Sequence, residues 1–167
     1  MKLSAQNFKK GFTLIELLVV VAVIAALAVS VFVALNPSAR IIAANDARRT
    51  SDADSILSAV HQYIVDNDGT APASLPAAGT ERQLGTGTAV TCATALVDNG
   101  CSTPASTACA DMSTDLAPYL KTMPIDPLGG TTYTSVKTGY SITQDSNGIV
   151  TVKACGAQGT ADISVSR

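Results

Sequence analysis

The chain has 167 residues, with 11 basic and 13 acidic side chains and a net charge of −2. Near neutrality with no basic stripe gives no support for bulk nucleic-acid binding. A single histidine, His61, and the lack of any Cys-x-x-Cys pair argue against a zinc centre.

Residues 1–11 form a short polar leader with Lys2, Lys9 and Lys10 and no acid. From Phe12 to Leu35 follow 24 residues among which only Glu16 is ionisable. As an α-helix rising ~1.5 Å per residue, such a run spans roughly 36 Å, enough to cross a hydrocarbon core of ~30 Å with some tilt. It is too long for the apolar region of an ordinary secretory signal. A carboxylate inside a bilayer costs roughly 2.5 kcal/mol or more, so Glu16 needs a partner. One reading places it near the helix start, where the positive end of the dipole favours it. The other pairs it with a positive charge when subunits pack. Cleavage after Gly11 would create that charge, an α-amino group on Phe12 four residues before Glu16.

Lys9-Lys10-Gly11-Phe12-Thr13-Leu14-Ile15-Glu16-Leu17 resembles the class III signal of type IV pilins and of the pseudopilins of type II secretion. The resemblance implies cleavage after Gly11 by a prepilin peptidase, N-methylation of Phe12 by the same enzyme, and Glu16 as the assembly carboxylate. It also implies a fold, a long N-terminal helix packed on a small antiparallel sheet. Partners implied are other copies in a helical filament, related minor pilins, a membrane-embedded assembly platform and a separate ATPase.

Asn36-Pro37 interrupts the helix. Proline removes a backbone hydrogen bond and crowds the preceding turn, so a kink is expected at Pro37. Beyond it the pattern turns amphipathic, with Ala53, Ile56, Leu57, Val60 and Ile64 on one face. The stretch from Ala44 to Arg49 is too polar for a buried face and is expected to be a solvated turn or a subunit contact. Asp66-Asn67-Asp68-Gly69 ends the helix, with Gly69 as a left-handed cap.

Residues 70–110 read as a long Gly/Ala/Thr/Ser/Pro-rich loop, of a length that calls for staples. A short helix is expected at Ser113–Lys121. Pro124 to Gly130 forms a rigid turn whose Asp126-Pro127 resembles a segment of major pseudopilins. Strands are expected at Thr131–Val136, Thr138–Gln144, Ile149–Ala154 and Ala161–Val165, with Asn147-Gly148 forming a type I′ hairpin turn.

Cys92, Cys101, Cys109 and Cys155 all lie beyond the apolar run, and an even number in an exported region suggests two disulfides. Of three connectivities, the favoured one staples Cys92 to Cys101 and closes Cys109 to Cys155. Arg40, Arg48 and Arg49 leave the positive-inside count nearly tied, and the cysteines place their domain outside.

No catalytic set emerges: His61 is isolated, and Gly85-Thr86-Gly87 lacks the context of a dinucleotide fingerprint. Asp66 to Gly69 lacks the terminal acid of an EF-hand, since position 77 is Ala77. Secretion pseudopilins carry a calcium in their β–β loops, which draws attention to Asp126 and Asp145, but the acids around them are sparse. No metal or cofactor is assigned.

The division expected is a leader at 1–11, an assembly and membrane half-helix at 12–35, an amphipathic half-helix at 36–69 and a globular head at 70–167. The fold class is α+β. The protein reads as a prepilin stored in the cytoplasmic membrane with its N-terminus inside, then polymerised into a type IV pilus for adhesion, motility or DNA uptake. A major pseudopilin of type II secretion, with a periplasmic fibre, is the alternative. A single-pass anchored binding protein or enzyme is the remote one; it requires Gly11 to stay uncut and Glu16 to be dispensable.

Overall fold

A computed structural model describes residues 11–88, 92, 100–102, 108–130, 132–159 and 162–167. The chain divides into two units, Met1–Arg40 and Ile41–Arg167. In the first, α1 (Leu14–Leu35) is 22 residues long and buries none of them. It is long and apolar enough to cross a membrane. Asn36 ends it in the left-handed conformation, φ 41°, and α2 (Pro37–Asp66) begins at once. Pro37 thus opens a helix, at a position where a missing N–H leaves no bond unmade. The interruption expected here is confined to Asn36.

In the second unit, the apolar stripe of α2 packs on an antiparallel sheet of four strands. These are β1 (Arg82–Gln83), β2 (Tyr140–Gln144), β3 (Val150–Ala154) and β4 (Ile163–Ser166), in the order β1-β2-β3-β4. Strand alternation points Val150, Val152 and Ala154 inward, and Ile142 lies opposite Val152. Ala53, Ile56, Leu57 and Val60 meet Tyr140, Ile142, Val150 and Val152 in one core, with Ile64 at its margin. The chain is therefore α+β, with the apolar face of α2 packed on a small antiparallel sheet.

Several local expectations differ from what is observed. The supposed loop 70–110 contributes β1 and a parallel bridge from Leu84 to Ala110. Ser113–Lys121 is a succession of turns rather than a helix, held by Leu116 N–H to Met112 O at 2.9 Å and Leu120 N–H to Leu116 O at 2.8 Å. Pro118 supplies no amide to continue it. No strand forms at 132–136; Thr131 lies outside the described residues. Gly129 (φ 34°) and Gly130 (φ 68°) turn the chain sharply there, and residues 135–138 bond irregularly to Leu84, Thr86 and Gly87. That approach requires Gly85, φ 150°, since a Cβ would stand 2.3 Å from the Val136 carbonyl oxygen.

The last strand runs Ile163–Ser166 rather than Ala161–Val165, and residue 161 lies outside the described set. The β2–β3 turn is not type I′, because only Gly148 has a positive φ, 86°. Gly148 donates to Asp145 O at 3.2 Å and Asp145 N–H to Ile149 O at 3.0 Å, the pattern of a type I turn followed by a glycine bulge. At the end of α2 Gly69 is left-handed as expected, φ 84°, and its N–H caps Ile64 O at 2.8 Å; Asp68 before it is left-handed as well, φ 52°.

Candidate assembly site

The site begins where α1 begins. Gly11, Phe12 and Thr13 are exposed, and Phe12 retains 84% of its surface. Thr13 is the N-cap of α1, with extended φ/ψ. Its hydroxyl accepts from the Glu16 amide at 3.3 Å, and the Glu16 carboxylate accepts from the Thr13 amide at 2.9 Å and hydroxyl at 2.7 Å. This reciprocal capping box satisfies amides that open every helix without partners. The carboxylate therefore sits at the helix start, hydrogen-bonded within its own chain, as the first of the two readings of Glu16 has it. The side chains of α1 leave an apolar surface on every side, among them Leu17, Val20, Ile24, Leu27 and Phe32.

The polar stretch of α2 is not a solvated turn. It is helical throughout, and Arg49 within it is fully buried. The guanidinium Nε donates to Asp126 Oδ2 at 2.7 Å and Nη2 to Asp126 Oδ1 at 2.8 Å, a two-pronged pair in which both side chains are shielded from solvent. Nη1 reaches Asp46 Oδ1 at 2.7 Å, one helical turn back. Asp126 also accepts from the Leu128 amide at 2.9 Å, and Asp46 from the amides of Gln158 (3.1 Å) and Gly159 (2.8 Å). Two carboxylates around one guanidinium thus fix α2 against the turns 126–128 and 156–159. Partial burial pushes the Asp46 carboxyl up, but the amide of Gln158, the guanidinium and the amide of Gly159 together hold it below the usual carboxylate value. Nearby, Tyr140 donates to Asp52 at 2.9 Å, and burial followed by that bond pushes its phenol well above the ordinary range.

Both acids considered for calcium are engaged in hydrogen bonds. The Asp126 oxygens are taken by Arg49 and Leu128, and Asp145 Oδ1 accepts the amides of Asn147 and Ile149 at 2.8 Å each inside the hairpin turn. Among the described residues no group of three or more His, Cys, Asp or Glu is arranged to hold a metal. His61 stands half-buried on α2, and its Nε2 has no hydrogen-bond partner.

The four cysteines do form two disulfides, but not those favoured from spacing. The bridges are Cys92–Cys109 and Cys101–Cys155, with Cα separations of 5.6 and 5.5 Å. Proximity in sequence misleads because the sheet brings distant residues together. Ser141 lies opposite Lys153 in the β2–β3 pairing, and Cys101 Sγ is 3.3 Å from Ser141 Oγ. The same corner is tied by Lys153 Nζ, 3.1 Å from Glu81 Oε2 and 2.8 Å from the Gly100 carbonyl oxygen.

Of the residues singled out in the sequence, Glu16 lies at the helix start a turn beyond Gly11 and Phe12, Cys101 and Cys155 meet at the sheet corner, and Cys92 and Cys109 meet beside Gly87 and Val136. Arg49, Asp46 and the true role of Asp126 were missed. A signal was present: Arg49 continues the spacing of Ala53, Ile56, Leu57 and Val60, which places it in the apolar register.

Residues 6–32 match the family model of the prokaryotic N-terminal methylation motif. No curated protein and no solved structure matches the chain. The motif match bears out the resemblance to type IV pilins and pseudopilins: the chain carries the class III signal peptide of those proteins. That class is structural rather than enzymatic, and its motif implies processing by a prepilin peptidase and assembly into a pilus or pseudopilus filament. The motif and the apolar α1 fit membrane anchoring.

Proposed function

We propose that this protein is a prepilin, cut after Gly11, methylated on Phe12, and polymerised into a surface filament. The observation that carries the reading is α1 itself. A 22-residue helix with no buried residue carries its single ionisable group in the first turn, inside a matched methylation motif. Such a helix passes from lipid into a core of neighbouring helices with little change in polarity. The remaining cost is the charge of Glu16, which the Phe12 amine of a neighbouring copy neutralises after cleavage. The anchored chain keeps its N-terminus in the cytoplasm, and the head beyond α2 faces outward and determines what the fibre touches. Extrusion draws its work from a separate ATPase acting through a membrane platform.

The test is the intact mass of the protein from a sheared surface fraction of its native cells. A chain beginning at methylated Phe12 is the expected result. The cut form confined to membranes would instead favour a secretion pseudopilus, and an uncut chain would overturn the prepilin reading.

A further inference from the structure

The two bridges interleave: the first cysteine pairs with the third and the second with the fourth. This matters if the head is exported behind α1, the reading on which the inference rests. Cys92, Cys101 and Cys109 then reach the oxidising side before Cys155. Loop closure weakens with the three-halves power of length, so the eight-residue spacing of Cys101 and Cys109 closes about 18-fold more readily than the separation of 54 between Cys101 and Cys155. The native Cys101–Cys155 bridge also needs the finished sheet. Cys155 follows β3 and donates its amide to Gly139 O at 2.9 Å, while Cys101 contacts Ser141 on β2. Among the three cysteines exported first, the native Cys92–Cys109 closure over 17 residues is about threefold less ready than either neighbouring pair. Early oxidation by a disulfide-donating oxidase therefore mostly joins neighbours, and none of the neighbouring pairs is native.

We infer that this chain is a substrate of an exported thiol–disulfide isomerase, which exchanges consecutive bridges for the interleaved pair. The exchange needs no net oxidant. Starting from Cys92–Cys101 and Cys109–Cys155, the isomerase thiolate attacks Cys101 Sγ, forming a mixed disulfide and releasing the Cys92 thiolate. Cys92 attacks Cys109 Sγ and releases Cys155. Cys155 attacks Cys101 Sγ and returns the isomerase thiolate, so two disulfides enter and two leave. Burial gives the exchange its direction. Once paired natively the cysteines are only 1–7% exposed, shielded from further attack, whereas bridges in an unassembled head are open to it.

The experiment maps the disulfides of the full-length chain, after thiol blocking and non-reducing digestion, in cells with and without their exported isomerase. The expected result is interleaved pairing in the first. In the second the native fraction falls at least fivefold, with Cys92–Cys101 or Cys101–Cys109 bridges in its place. Cys92→Ser/Cys109→Ser leaves Cys101 with one partner, so its Cys101–Cys155 yield is the same in both cells. Cys101→Ser/Cys155→Ser gives the same comparison for the other bridge should the first variant not accumulate. Equal native pairing of the wild type in both cells overturns the inference while leaving the prepilin reading intact, as do consecutive bridges in the mature chain. Free thiols in both cells overturn the inference together with the exported placement of the head.

Discussion

Arg49 and Asp126, 77 positions apart, meet as a two-pronged ion pair with both side chains fully shielded from solvent. A pair of this kind contributes little net stability when intact, because desolvation offsets most of the attraction, but removing one partner strands a buried charge at a cost of about 3–5 kcal/mol. Arg49→Met should therefore destabilise the head by that amount. Arg49→Met/Asp126→Leu should recover much of the loss, since neither charge of the pair remains. Denaturant unfolding of the detergent-solubilised full chain, followed by circular dichroism, reads both variants. A double variant no more stable than Arg49→Met would show that geometry rather than stranded charge sets the cost.

Gly156 stands against the same carboxylate. A Cβ there would lie 2.4 Å from Asp126 Oδ2 and 2.8 Å from its Cγ, closer than any real contact. Gly156→Ala must push Asp126 out of the guanidinium fork or move the turn, and overpacking of this kind costs about 1–3 kcal/mol. Added to Arg49→Met/Asp126→Ala, which has no γ or δ atoms at position 126, the same alanine should cost clearly less, because the atoms it strikes are gone. Equal penalties in both backgrounds, measured by the same unfolding, would mean that the turn backbone and not Asp126 resists the methyl.

The ion pair also shows what was legible in the sequence. Ala53, Ile56, Leu57 and Val60 announce their face of α2 because apolar periodicity reports burial directly. Arg49 shares their register but is charged, and a charged residue is ordinarily solvated unless paired, so its burial depends on Asp126, which no local pattern links to it. The cysteines repeat the lesson: their number speaks for disulfides, while their pairing depends on which strands lie side by side. Residues 132–136 carry strand-forming side chains, yet Gly129 and Gly130 and the approach of residues 84–87 decide their path. The start of α1 was the most legible part, because Glu16 and the apolar run that follows it are signals carried within one continuous segment, though the Thr13 cap was not among them.

Acid should loosen the head through Asp46. Its carboxyl is held below the usual value of about 3.9 by the Gln158 amide, Arg49 and the Gly159 amide, despite the opposing effect of partial burial. A group whose folded pKa is depressed contributes stability that is present above its unfolded pKa and lost as pH falls through the folded one. The loss belongs to the window below about pH 4. Asp46→Asn should make unfolding midpoints flatter with pH in that window and leave their slope near neutrality unchanged. An Asp46→Asn variant with the wild-type acid slope would place the responsible carboxylate elsewhere.

On the proposed function Glu16 has two jobs that a single substitution confuses, and the capping box allows them to be separated. Glu16→Ala removes both the assembly charge and half of the cap, and is expected to leave cleavage after Gly11 normal while abolishing filaments. Thr13→Val removes the hydroxyl that accepts from the Glu16 amide at 3.3 Å and donates to its carboxylate at 2.7 Å, but keeps the carboxylate itself. Loss of an N-cap side chain costs about 1 kcal/mol, too little to unmake a helix of 22 residues. Filament yield from Thr13→Val, measured in the sheared surface fraction beside the fraction of cleaved chain, should stay within a few-fold of wild type. If Thr13→Val lost filaments as completely as Glu16→Ala, helix capping would account for the defect, and the charge would have no separate part. If Glu16→Ala assembled normally, pairing between Glu16 and a neighbour's Phe12 amine would fall. A cleaved Glu16→Ala chain held in the membrane, with Thr13→Val fibres outside, is the pattern that assigns assembly to the carboxylate.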